Sequence, residues 1–147
     1  MNFSCIFNIF TNFKKTAMAK TPVKIEIDGY KEREVIMVTY EFDQATDVEG
    51  QMSGIPRGGQ ITVRVKALND GTPDLLAWMI ERNLPKNGTI TFLETKTGKN
   101  MKTIKFTNGY CVKFDEKWED KHGHYEEIII TCQKIEFGSV TYENDWA

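Results

Sequence analysis

His122 and His124 stand two residues apart with Asp120 beside them, and the chain has no other histidine. Neutral imidazoles at that spacing can bind zinc or copper when a loop folds a third ligand toward them. No third or fourth ligand is evident, and charged hairpin tips are common solvated features. Glu126-Glu127 and Asp115-Glu116 could supply an acid and a base, yet neighbours on a strand point to opposite faces. Such pairs cannot act together on one substrate, so a solvated face is the expected reading. Glycines at 50, 54, 58 and 59 suggest a phosphate cradle, but neither G-x-x-x-x-G-K-S/T nor G-x-G-x-x-G is present. No serine meets a histidine in a nucleophile-elbow context. Cys5, Cys111 and Cys132 show no CxxC or other zinc spacing. The last two fall in expected strands, where buried thiols act as small hydrophobes, a usage suited to a reducing compartment. Without a nucleophile–base pair or ligand set at usable spacing, the expectation is no enzyme activity, no cofactor and no metal.

The elements that would carry these residues are mostly strands. At 147 residues and 40% hydrophobic content the chain has room for one cored domain. A net charge of −2 and a pI near 5.7 argue against nucleic acid, which needs a basic face. No Lys/Arg-rich amphipathic helix is present to lie on anionic lipid, and stable membrane insertion is not expected. Residues 1–17 are rich in Phe and Ile, but Lys14-Lys15 follow the apolar run, the reverse of a secretory signal. Met18-Ala19-Lys20 reads as an ordinary start. Residues 1–17 are therefore expected to be a disordered extension or a misassigned start, with a weak interfacial helix as the alternative. Residues 18–147 form the single domain.

Val23, Ile25 and Ile27 alternate with Lys24 and Glu26, and Asp28-Gly29 signals a hairpin. Ile36, Val38, Tyr40 and Phe42 are expected to share one face. Ile61, Val63 and Val65 form the cleanest strand. One helix is expected over about residues 73–83, with Thr72 as N-cap and Pro73 first in the helix. Its apolar stripe pairs Leu75 with Met79 and Leu76 with Ile80, and Pro85 and Asn87-Gly88 end it. Strands Thr89–Thr95 and Lys102–Thr107 follow. Asn108-Gly109 breaks the run, and Tyr110, Val112 and Phe114 open the next strand. Glu126–Glu136 is the last long one.

The segment from about 44 to 59 stands apart, too long for a hairpin turn. Loops beyond ~12–15 residues without secondary structure are usually functional or disordered. Gly50, Met52, Ser53, Gly54, Ile55, Arg57, Gly58 and Gly59 are its candidate subunit-contact residues, a composition suited to docking on protein. Mainly β, as a barrel or sandwich with one helix and one long loop, is the expected fold class.

The order of motifs resembles the Hcp (TssD) family, the haemolysin-coregulated tube proteins of type VI secretion systems, and most nearly its Bacteroidetes branch. The residues that carry this are Tyr40-x-Phe42-x-Gln44-x-x-Asp47-x-x-Gly50, then Ser53-Gly54 and Gly58-Gly59-x-Ile61-x-Val63. Trp78-Met79, Lys86-x-Gly88-Thr89-Ile90-Thr91-Phe92 and Met101-Lys102-x-Ile104-x-Phe106-x-Asn108-Gly109-Tyr110 continue it. Ile135-x-Phe137-Gly138 and Asn144-x-Trp146 close it. The resemblance covers about residues 20–147 and implies a non-enzymatic barrel with one helix that closes into six-membered rings and stacks into a hollow tube. It further implies a contractile sheath, spike and baseplate as partners, and small effectors in the lumen. Assembly would be cytoplasmic, followed by secretion without a cleaved signal peptide. By the same analogy the 44–59 loop bridges subunits or rings, and Thr62, Arg64 and Lys66, or Thr103, Lys105 and Thr107, could line a wet lumen. Two alternatives remain at this point: a tail tube of a phage-derived contractile particle, and a monomeric barrel carrying a small apolar ligand.

Overall fold

The computed structural model describes residues 22–146; the expectations for residues 1–17, Met18 and Cys5 lie outside them. The elements in order are β1 (Val23–Ile27), β2 (Arg33–Tyr40), β3 (Gln60–Lys66), α1 (Asp74–Ile80), β4 (Lys86–Leu93), β5 (Asn100–Glu119), β6 (Gly123–Phe137) and β7 (Val140–Glu143). The strands run β3-β2-β1-β4-β5-β6-β7 and β3 also pairs with β6, so six antiparallel strands close a barrel. β7 lies beside the end of β6. The fold is a barrel, not a sandwich.

Period-two alternation fills the interior. Ile61, Val63 and Val65 on β3 are fully buried, as are Ile90, Ile104, Ile130 and Ile135 on β4, β5 and β6. Side chains fill a barrel this small, and among the described residues these buried apolar groups form one continuous interior cluster. Phe106 lies across β4 at Gly88, where a Cβ would fall 2.3 Å from the ring's Cζ. Asn87-Gly88 therefore belongs to β4 and does not end the helix.

Three of the bulges among the described strands, one in β2 and two in β5, move later side chains to the other face. In β2 the register shifts between Val35 and Met37. Arg33 and Val35 are buried before the shift and Val38 and Tyr40 pack inward after it, while Ile36, expected inward, is exposed. β5 is one continuous strand of 20 residues, not two broken at Asn108-Gly109. Asn108 takes a left-handed φ of 51°, and the inward set changes from Ile104 and Phe106 to Gly109 and Cys111. Val112, next to inward Cys111, therefore faces outward, and a second shift, between Cys111 and Lys113, brings Phe114 toward the core.

α1 has seven residues, shorter than expected. Pro73 sits at the N-cap with φ −95° and ψ 41°, outside the helix. Thr72 does not cap it; its own N–H donates to Asp70 Oδ1 at 3.0 Å. The backbone turns extended at Glu81, and Asn83 adopts φ 54°. The buried face is Asp74, Leu75 and Trp78, whereas Leu76 and Ile80 are exposed. The expected double stripe is half wrong because one charged residue replaces an apolar one on the packing face.

Cys111 lies opposite Ile130 and Cys132 opposite Gly109 on adjacent strands, and both thiols are free and buried. Burial pushes Cys111 up to about 11, against a smaller opposing hydrogen bond with Lys113, and Cys132 up to about 12. Only the thiolate attacks an alkylating agent, so at pH 8 its fraction at either site is on the order of a thousandth or less. Native protein should leave both unlabelled by iodoacetamide, and denatured protein should label both, read by peptide mass spectrometry. Rapid native labelling would contradict the burial.

Because every strand pair is antiparallel, successive connections alternate between the two barrel ends. The β1–β2 turn, the α1 crossover and the β5–β6 tip share one end. The 44–59 segment, the β4–β5 turn and the β6–β7 turn share the other. The protomer is polar.

Candidate assembly surface

The 44–59 segment is a protruding two-stranded arm, not an irregular loop. Asp43 and Arg57 exchange both backbone hydrogen bonds, at 3.0 and 2.7 Å, and Thr46 bridges Met52. Ser53 N–H donates to Ala45 O at 2.8 Å. The 52–57 side carries two more residues than the 43–46 side between these bridges, so Gly54, Ile55 and Pro56 form a bulge. At the tip, Asp47 Oδ1 accepts from the N–H groups of Glu49 and Gln51, both at 2.9 Å. Asp47 as the turn's side-chain acceptor and Gly50 at φ 84° are the residue types such a turn needs, a signal the loop reading did not use.

The eight candidate contact residues fall into two groups. Gly50, Met52, Ser53, Gly54, Ile55 and Arg57 are exposed along the arm, while Gly58 is half-buried and Gly59 buried at its base. Met52 is 67% and Ile55 73% exposed, apolar groups presented to solvent on a shaped ribbon. Val48, at the very tip and fully exposed, belongs with them and was missed in the sequence.

The arm's base is held by residues from the far end of the chain. Phe42 packs edge-on to Tyr142 at 4.8 Å and Phe137 at 5.8 Å. Gly58 N–H donates to the Tyr142 hydroxyl at 3.1 Å, and that hydroxyl donates to Asn144 Oδ1 at 2.9 Å. Asn144 Nδ2 donates to Cys132 O at 2.8 Å, and Cys132 N–H donates to Gly59 O at 2.9 Å.

At the opposite end lies a buried ionic cluster. Arg33 donates from one terminal nitrogen to Asp74 Oδ1 and from the other to Glu126 Oε2, each at 2.5 Å. The second nitrogen also reaches Lys66 O at 3.2 Å. The residues are at most 8% exposed, and Arg33 Nε and Asp74 Oδ2 have no partner. Glu126 is therefore not on a solvated face, contrary to expectation. Glu127 does face outward, where Arg64 grips it at 2.9–3.0 Å. From Tyr110 to Glu119, one edge of β5 has no strand partner among the described residues, since β4 stops pairing at Gly109.

The histidines face separate carboxylates, His122 at 3.6 Å from Glu119 and His124 at 3.3 Å from Glu116. Among the described residues no group of three His, Cys, Asp or Glu is placed to hold a metal. No described helix is long and apolar enough to cross a membrane. The arm and the open end of β5 are the exposed contact surfaces the described residues offer.

A family model described as Hemolysin coregulated protein Hcp (TssD) matches residues 1–147. No curated protein sequence matches the chain. Among solved structures, Hcp1 from Flavobacterium johnsoniae is 29% identical with a TM-score of 0.78, over 84% of this chain and 99% of that one. A mutant Hcp1 from an E. coli pathovar is 16% identical with a TM-score of 0.70, over 86% and 100%. Hcp1 from Salmonella typhimurium is 14% identical with a TM-score of 0.64, over 83% and 93%. The last two carry the fold alone.

Proposed function

The chain belongs to the hemolysin coregulated protein Hcp (TssD) family, and from that premise we propose that six copies close into a ring and that rings stack into a hollow tube. It is a type VI secretion tube protein, of a structural family. The observation that carries the stacking half is the arm: a hydrogen-bonded ribbon that holds Val48, Met52 and Ile55 in solvent at one end of a polar protomer. A lone barrel gains nothing from displaying them. Head-to-tail contact between unlike ends leaves a filament that extends indefinitely, while a lateral rotation that closes makes a ring. The β5 edge without a partner strand supports the lateral contact, because such an edge can recruit a strand from another chain.

On this reading Met52, Ile55 and Val48 anchor the arm on the next ring and Arg57 pairs with a carboxylate there. Gly50, Ser53 and Gly54 shape the ribbon, and Gly58 and Gly59 seat its base. A contractile sheath, spike and baseplate drive the tube outward, with small effectors in the lumen. Assembly is cytoplasmic and export needs no cleaved signal peptide.

Negative-stain microscopy of the purified chain should show rings with a central hole; compact monomers at high concentration would defeat the proposal. Replacing Gln51–Arg57 by a Gly-Ser linker of equal length should keep a cooperative melt, since the closed loop keeps its length and the replaced residues are exposed. The same variant should shift particles toward isolated rings or monomers. Normal tubes and normal secretion would remove the arm from the mechanism.

A further inference from the structure

We infer that the C-terminal segment Val140–Asn144 is a latch that fixes the direction of the arm, with Tyr142 and Asn144 as its positioning residues. Gly58 N–H, the Tyr142 hydroxyl, the Asn144 side chain, Cys132 and Gly59 O form one chain of hydrogen bonds that begins and ends on the arm's base. Asn144 N–H closes it onto β6 by donating to Gln133 O at 2.7 Å. The Tyr142 hydroxyl proton is committed to Asn144, with Pro56 O farther off at 3.5 Å.

The two glycines exist for this seat. A Cβ at Gly58 would fall 2.2 Å from Phe42 Cδ1, and one at Gly59 would fall 2.3 Å from Asn144 Nδ2. Gly59 also has φ of 92°, a left-handed value that side chains resist. Gly58-Gly59 and Asn144 lie at opposite ends of the sequence pattern, and the fold joins them at one point.

The arm needs such a seat. An isolated two-stranded ribbon is marginally stable in water, and the arm's internal hydrogen bonds shape the ribbon without setting its angle to the barrel. Tyr142 and Asn144 couple that angle to β6, whose carbonyls at Cys132 and Gln133 are fixed by the barrel wall. A docking element held at one angle binds with less ordering cost than a swinging one.

The assembly half of this inference rests on the arm being the stacking contact; the positional half does not. The test uses the full chain with Tyr142→Phe, which keeps the ring and removes only the hydroxyl, and with Tyr142→Phe plus Asn144→Ala. Hydrogen exchange should show protection at Asp43, Arg57 and Gly58 falling by on the order of tenfold or more, while Ile61–Val65 keep theirs. Tubes should be lost and rings retained. Unchanged protection of the arm overturns the latch whatever the tubes do. Loss spread evenly through β3 also overturns it, because Tyr142 and Asn144 would then only stabilise the barrel. Loss confined to the arm with normal tubes upholds the latch and overturns the arm as stacking contact. Should the double variant fail to fold, Tyr142→Phe alone decides the matter at the Asp43 and Arg57 amides, which do not bond to the lost hydroxyl.

Discussion

Arg33→Met should destabilise the barrel by about 3–5 kcal/mol, the usual cost of removing one partner from a buried ion cluster. Arg33, its side chain 1% exposed, lies between Asp74 on α1 and Glu126 on β6, each 6% exposed. Its loss leaves two carboxylates buried beside each other whose remaining donor among the described residues is Leu75 N–H, which reaches Asp74 Oδ1 at 2.7 Å. The effect is thus a penalty on what remains. Arg33→Met combined with Asp74→Leu and Glu126→Leu should recover most of the loss, since a well-packed apolar set often equals a buried ionic one. Denaturant melts would read both, as a shift in midpoint at unchanged slope. An Arg33→Met midpoint equal to wild type would mean that the cluster is open to water.

Trp78→Ala should cost about 3–5 kcal/mol, the range for deleting a buried aromatic from a core. The ring is 1% exposed, stands edge-on to Tyr30 at 6.4 Å, and donates from Nε1 to Leu84 O at 2.8 Å. Truncation leaves both a cavity and an unpaired carbonyl. The burial of Trp78 assigns the loss to the monomer and not to a subunit contact. The monomer's melting midpoint should therefore fall. A lost ring with an unchanged midpoint would return Trp78 to the interface.

The contrast between Trp78 and Ile36 shows what the residue pattern can carry. Strand positions from Val23 to Ile27 and from Ile61 to Val65 are legible because an unbroken alternation has only one way to face a core. Ile36, Val112 and Asn108-Gly109 are misread because a bulge is a one-residue event. Nothing in Val35-Ile36-Met37 announces it, yet it inverts every later position. Arg33, Asp74 and Glu126 look like ordinary surface charges, since their partners come from three elements far apart in the chain. The same holds for Gly59, Tyr142 and Asn144. The arm's apolar residues were legible because they break composition locally; its seat was not, because it is a long-range contact.

The seam between β3 and β6 has a kinetic consequence. The hairpin of β5 and β6 pairs residues that flank one short turn, from Glu119 and Gly123 outward to Ile104 and Phe137, and closes as a local event. Joining Gln60 to Thr131 requires the whole intervening chain, helix included, to be in place, and contacts between such distant residues form late. Until then β3 and β6 each carry a free inner edge of apolar, β-branched residues: Ile61, Val63 and Val65 on one, Ile128 and Ile130 on the other. Such edges pair with strands from any neighbouring chain. The unclosed chain therefore competes between folding and misassociation, and crowding favours the wrong partner. Once the seam zips, these edges vanish, and the only contacts left to make are those of the finished surface.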